Sequence, residues 1–247
     1  MSIRQIVLAQ KYIYAGSVLL GLCFIGTGLQ HFIYLQFVAT LVPPYMPVPL
    51  LWAGLTGAAM ILAGVSFLLR RRTTLAALLL SIMMAGFIVM IHIPKLIAAT
   101  HEINNWIRAM QDLAILGTAL MLTSQKPLNR AGIYLYALPI ILLGAAHFMH
   151  PALITPKIPS YLPATGVFDF VIGAAMVALA VCIIAKRYAQ IAALALGGLL
   201  LIFALLYSLP TLAGNIKNGA EWTTLLLALA VAAGGFVAAG KVANRHL

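Results

Sequence analysis

Residues 31–47 read HFIYLQFVATLVPPYMP, and residues 147–163 read HFMHPALITPKIPSYLP. The two stretches share His, Phe, Pro, Tyr and Pro at the same spacing, 116 residues apart. Beyond them, the run GAAM occurs at residues 57–60 and again at 173–176, and Trp106 and Trp222 keep the same offset. Matches of His, Tyr, Trp and Pro at one offset predict an internal duplication, because these residue types rarely coincide by chance in a chain rich in Ala and Leu.

The composition predicts where the chain resides. Of 247 residues, 64% are hydrophobic and 8% are charged, and the mean hydropathy is +1.07. A soluble domain needs a polar outer shell that this composition cannot supply. Apolar runs long enough to cross a bilayer recur along the chain, without the alternation typical of barrel strands. The sequence therefore predicts an all-α, multi-pass membrane protein.

We predict about eight transmembrane helices in two four-helix units, residues 1–124 and 125–247. The predicted spans are residues 12–33, 50–69, 74–97, 104–123, 131–150, 164–185, 189–210 and 221–240. Because each unit has an even number of helices, both enter the membrane from the same side, as parallel repeats do. His31 and His147 then lie at the same depth, near the outer ends of the first and fifth helices.

The distribution of positive charge predicts the orientation. The formal net charge is +11. Eleven of the fifteen Lys and Arg residues fall on the side of the membrane that holds both termini, and the other four are Lys95, Arg108, Lys157 and Lys217. The positive-inside rule predicts a cell (plasma or inner) membrane protein with both termini in the cytoplasm. These cations suit anionic lipid headgroups, so membrane lipids are expected partners and nucleic acid is not.

The two outer Pro-x-Tyr-x-Pro stretches predict a stiff cover over a pocket. Proline restricts the backbone, and a tyrosine at the interface keeps its ring in lipid and its hydroxyl in water. Tyr45 and Tyr161 are the tyrosines concerned. Beneath them, His31 and His147 would serve as ligand-binding or proton-transfer groups, or would instead bond a backbone carbonyl and pin the loop. They are weak candidates for a metal site, and haem is not expected because no metal-ligand spacing accompanies them.

Charged residues within the predicted helices are the other candidates. Arg108 and Asp112 stand at positions i and i+4, so we expect them to pair on one helix face and to assist in gripping a polar headgroup. Asp169 lies in the first turn of the sixth helix without an evident local partner, where the helix dipole favours a carboxylate. A proton-coupled role is the alternative for Asp169. Cys23 and Cys182 form no redox motif.

Three motifs in the first unit carry a resemblance to a known family. A first helix ending in Gly-x-x-His-Phe occupies residues 28–32, a Pro- and Tyr-containing loop occupies 42–47, and LTGAAMILAG occupies 55–64. The pattern resembles the DoxX family of four-helix membrane proteins, here as two units in tandem. The second unit departs from it, with Asp169 in place of Ala53. The family includes subunits tied to quinol oxidation and thiosulfate:quinone oxidoreduction, and partners of other redox systems.

The resemblance implies an accessory subunit of a redox system that binds a quinone or a similar lipid-soluble carrier near the outer interface. Its expected ligand-binding residues are His31, Tyr45, Arg108, Asp112, His147, Tyr161 and Asp169. Because no cysteine pair or flavin motif is present, another membrane redox protein would carry the electrons, and the chain is not expected to be an enzyme on its own. The alternatives are a non-enzymatic scaffold or assembly factor and, less favoured, a small-solute transporter.

Overall fold

A computed structural model describes residues 3–158, 161 and 164–243, apart from the side chain of Lys157. Pro159 and Pro163, two of the prolines in the second outer stretch, lie outside the described residues, as do Arg245 and His246. The described chain is helical almost throughout and contains no strand. This confirms the prediction of an all-α, polytopic membrane protein.

Eight long helices make up most of the described chain. They are α1 (Ile3–Ile33), α2 (Pro49–Leu69), α3 (Thr73–Ala98), α4 (Ile103–Met121), α5 (Lys126–Met149), α6 (Thr165–Ile184), α7 (Ala189–Gly214) and α8 (Gly219–Ala243). Short helices at Leu35–Ala39 and Pro151–Ile154 lie between α1 and α2 and between α5 and α6. Helix α1 begins well before the predicted residue 12, because its first turns are helical although polar residues, including Arg4 and Lys11, alternate there with apolar ones.

Seven of these helices are long and apolar enough to span a membrane, among the residues described. The exception is α4, whose N-terminal half carries Asn104, Asn105, Arg108, Gln111 and Asp112. A helix this polar is stable at membrane depth only where its polar face meets protein or a water-filled cavity. Helix α4 packs against α3, α5 and α8, which shields it from lipid.

The backbone repeats its irregular features at the same 116-residue offset as the sequence. Helix α3 contains a π-helical segment at Ile88–His92, and α7 contains one at Ala204–Ser208. Each precedes a proline, Pro94 or Pro210, whose missing N–H and ring disrupt the regular helical bonding. The left-handed residues fall into three pairs at this offset: Val48 with Ala164, Arg70 with Lys186, and Arg72 with Tyr188.

Helix packing follows the same two-unit plan. Helix α1 packs against α2 and α8, and correspondingly α5 packs against α6 and α4. Helices α4 and α8 meet each other between the units, where Arg108 Nη2 donates to Thr224 Oγ1 at 3.2 Å across the 116-residue offset. These are the contacts that two parallel four-helix units would make. The duplication and the unit boundaries at residues 124 and 125 stay predictions.

Glycines allow the first two helices of each unit to approach closely. A methyl group at Gly57 would lie 2.6 Å from His31 Cβ, and one at Gly173 would lie 2.6 Å from His147 Cβ. Helices in lipid associate largely through such close van der Waals packing. Because these positions are glycines, each histidine can pack closely against the second helix of its own unit.

Gly64 offers a direct test of this packing. A methyl group at Gly64 would clash with the carbonyl oxygen of Gly21, whereas one at Gly54 on the same helix would meet nothing within 4 Å. We expect Gly64→Ala to lower the free energy of unfolding by about 1–3 kcal/mol through overpacking. Gly54→Ala should be neutral or stabilising by up to about 1 kcal/mol. Titration with SDS in mixed micelles measures both, and equal effects would contradict the packing described.

Candidate functional site

A cavity of about 590 Å³ lies mainly among the helices of the first unit. Its walls come from α1, α2, α3, α4 and α8, and the segment between α1 and α2 contributes residues from Phe37 to Met46. The volume falls in the range of pockets that hold small organic ligands. A cavity therefore lies beside the segment that contains the Pro-Tyr-Pro stretch of the first unit.

Most of the cavity wall is apolar and adaptable. Aromatic side chains include Phe24, Trp52 and Phe87. Five of the ten methionines in the chain also line it: Met46, Met60, Met83, Met84 and Met90. Methionine side chains are flexible and polarisable, and they suit binding surfaces that accommodate varied apolar shapes. This lining favours a lipid-soluble ligand.

His31 presents one ring nitrogen for an additional contact. Its Nδ1 lies 2.8 Å from the carbonyl oxygen of Thr27, one turn earlier on α1. A carbonyl oxygen only accepts, so Nδ1 donates the proton and Nε2 of the neutral ring keeps its lone pair. His31 also lines the cavity. The backbone bond and the ligand-facing position, which the sequence presented as alternatives, therefore occur together.

His92 and Asp112 form a polar pair in the same wall. His92 Nε2 donates to Asp112 Oδ2 at 2.8 Å, and both side chains are about seven-eighths shielded. His92 is the last residue of the π-helical segment in α3, a feature that often occurs at functional sites. Asp112 is nine residues beyond the start of α4, about 14 Å along its axis. The pair therefore lies within the length of α4 and not at its end.

The predicted Arg108–Asp112 pair is not the contact that forms. Arg108 donates to Thr224, and the ion-pair partner of Asp112 among the described residues is His92. The i, i+4 spacing brings the two onto one face, but His92 reaches the carboxylate from α3. Arg108 lines the cavity and donates one of its five N–H groups to another described residue, Thr224. The guanidinium can therefore donate to an acceptor within the cavity.

The equivalent histidine of the second unit has different partners. His147 Nδ1 donates to Asp169 Oδ1 at 2.5 Å, and the hydroxyl of Thr155 donates to the other carboxylate oxygen. Asp169 is fully buried and His147 is 7% exposed. The sequence shows no local partner for Asp169, and the two partners that the structure gives it, His147 and Thr155, are 22 and 14 residues away along the chain. A buried carboxylate is costly unless hydrogen-bond donors such as these contact its oxygens.

The two interface tyrosines lie apart from these groups. Tyr45 is 68% exposed and is outside the cavity lining, although Pro43 and Met46 beside it belong to the wall. Tyr161 is 65% exposed, and its hydroxyl donates to the carbonyl oxygen of Leu206 at 3.2 Å. Of the seven predicted residues, the cavity thus brings together His31, Arg108 and Asp112. His147 and Asp169 pair in the second unit.

In the part of the chain that the structure describes, the histidines form no metal cluster with acidic or thiol groups. Among the described residues, no group of three or more His, Cys, Asp or Glu side chains could hold a metal ion. His31 and His147 each pack within their own unit. Cys23 and Cys182 are free thiols, and Cys23 lines the cavity.

Sequence reasoning missed several residues of the site. His92 stands two residues before Pro94, and that proline was the available signal for a local irregularity that could aim a side chain inward. The clustering of five methionines between residues 46 and 90 was a second signal. No sequence signal identified Thr155, because its hydrogen bond to Asp169 depends on the path of the segment between α5 and α6.

Comparison with known proteins adds no assignment. No protein-family model, curated protein or solved structure matches this chain. The resemblance to the DoxX family therefore stays a prediction carried by the motifs at residues 28–32, 42–47 and 55–64.

Proposed function

We propose that this protein binds a quinone or a similar lipid-soluble carrier in the first-unit cavity, as an accessory subunit of a membrane redox system. The observation that carries the proposal is the cavity itself, which combines a methionine- and aromatic-rich wall with a small set of polar groups. Pockets that bind and orient small organic ligands have this composition.

Three of the polar side chains in the cavity wall hold the headgroup in this proposal. Arg108 donates to a carbonyl or other acceptor, His31 Nε2 accepts from a hydroxyl, and Asp112 offers the carboxylate oxygen that His92 leaves free. The methionine and aromatic wall contacts the apolar part of the ligand.

The membrane setting and the partner belong to the same proposal. We place the protein in the cell membrane with both termini in the cytoplasm, supported by the cations grouped at that end of the helices, which include Arg70, Arg71, Arg72, Lys186 and Arg187. The carrier then enters near the outer interface. Another membrane redox protein exchanges electrons with the bound carrier.

Trp52 provides the test, because it lines the cavity and the other two tryptophans do not. In the Trp106→Phe/Trp222→Phe variant in lipid nanodiscs, decylubiquinone should quench the fluorescence of Trp52 saturably. The matched control is Trp52→Phe, in which the remaining tryptophans should show only linear collisional quenching. Linear quenching in both proteins would contradict the proposal and would favour the scaffold alternative.

A further inference from the structure

The two units keep one histidine but surround it with different partners. His31 and His147 are equivalent at the 116-residue offset, and each packs its Cβ against a glycine of the next helix. In the first unit Nδ1 donates to a backbone carbonyl of its own helix, whereas in the second it donates to the carboxylate of Asp169. The same ring is therefore held in two different ways.

Two substitutions account for this difference. Ala53 stands where the second unit has Asp169, and Ala39 stands where it has Thr155. In the second unit, His147, Asp169 and Thr155 form a hydrogen-bonded cluster. The first unit keeps the histidine but lacks the carboxylate and the hydroxyl. Ala53 instead lines the cavity with His31.

The charged and histidine side chains that line the cavity all come from the first unit. At the same offset, His92, Arg108 and Asp112 correspond to Ser208, Thr224 and Ala228. Thr224 accepts from Arg108, so it contributes to the first unit's site. The second unit therefore has neither the cation nor the carboxylate that faces the first-unit cavity.

We propose that Ala39 and Ala53 keep His31 open to a ligand, while Asp169 and Thr155 close the equivalent place around His147, so that each chain binds one carrier molecule and binds it in the first unit. The ligand half of this proposal rests on the proposed function. The closed state of His147 rests on its own hydrogen bonds and burial.

Chemical labelling tests the two histidines in the unmodified protein. Diethylpyrocarbonate acylates an accessible ring nitrogen that carries a lone pair, and mass spectrometry reports each histidine separately. We expect His147 to react roughly tenfold more slowly than His31 or slower still, because the buried ring of His147 must be exposed by a local opening before the reagent reaches its Nε2, whereas His31 is half-buried and lines the cavity. Equal rates would overturn the proposal.

A designed variant transfers the closed arrangement to the first unit. In Ala39→Thr/Ala53→Asp, labelling of His31 should fall to the rate of His147, and saturable decylubiquinone quenching of Trp52 should be lost. The control Ala39→Thr/Ala53→Val adds similar bulk without a carboxylate and should leave the labelling of His31 unchanged. An unchanged His31 rate in the folded Asp variant, or an equal fall in the Val control, would overturn the role given to residue 53.

Stoichiometry separates this inference from the proposed function. Titration of the unmodified protein with decylubiquinone should saturate at one molecule per chain, and two molecules per chain would overturn the inference while leaving quinone binding intact. If decylubiquinone does not bind at all, the proposed function fails, and the contrast in labelling between His31 and His147 still decides whether the second unit is closed.

Discussion

Asp169→Ala should lower the free energy of unfolding by about 3–5 kcal/mol, the cost typical of removing one partner from a buried ion pair. The carboxylate is fully buried and accepts from both His147 and Thr155. Its removal leaves the ring N–H of the buried His147 and the partly buried hydroxyl of Thr155 without their acceptor. SDS titration in mixed micelles measures the change.

Two matched variants serve as controls for Asp169→Ala. Asp169→Asn keeps an acceptor for one of the two donors and should cost less than Asp169→Ala. Glu102→Ala removes an exposed carboxylate that makes no capping hydrogen bond. Its free energy of unfolding should stay within about 0.5 kcal/mol of that of the unmodified protein. A similarly small change for Asp169→Ala would show that the buried cluster does not stabilise the second unit.

Arg108→Gln should weaken decylubiquinone binding by roughly 10- to 100-fold. The guanidinium lines the cavity and has N–H groups free for a ligand acceptor, and a hydrogen bond to a charged group is worth about 1.5–3 kcal/mol. Arg108→Lys keeps the charge but loses the planar guanidinium group. Its affinity for decylubiquinone should therefore lie between that of the unmodified protein and that of Arg108→Gln. Quenching of Trp52 fluorescence measures the dissociation constant of each variant.

Arg130 supplies the control for general effects of removing a cation. It is exposed near the start of α5 and is outside the cavity lining. Arg130→Gln should bind decylubiquinone as the unmodified protein does. If Arg108→Gln also binds within twofold of the unmodified protein, Arg108 does not hold the headgroup.

The sequence predicted the fold because membrane insertion depends on local properties. Runs of apolar residues define α2, α3, α6 and α7 without reference to the rest of the chain, and the offset of 116 residues relates the units. Helix α4 was harder to predict, because Arg108 and Asp112 lower its hydropathy. Its position in the bundle is explained only by its packing against other helices.

The candidate site was predicted in part, for a similar reason. The spacing of Arg108 and Asp112 identified two residues of the cavity wall, but it could not show that His92 would reach the carboxylate from another helix. Tyr45 matched the interface pattern, yet its side chain is exposed beside the cavity. Contacts between helices decide these outcomes, and a single sequence does not specify them.

The most direct test of the account is to locate a bound carrier in the membrane. A photoreactive azidoquinone, irradiated with the protein in native membranes and mapped by mass spectrometry, should label the cavity wall of the first unit, in α1, α2 or α3. Excess decylubiquinone should suppress that labelling. Labelling confined to the second unit, or spread over lipid-facing residues without competition, would contradict the proposal that the first-unit cavity binds the carrier.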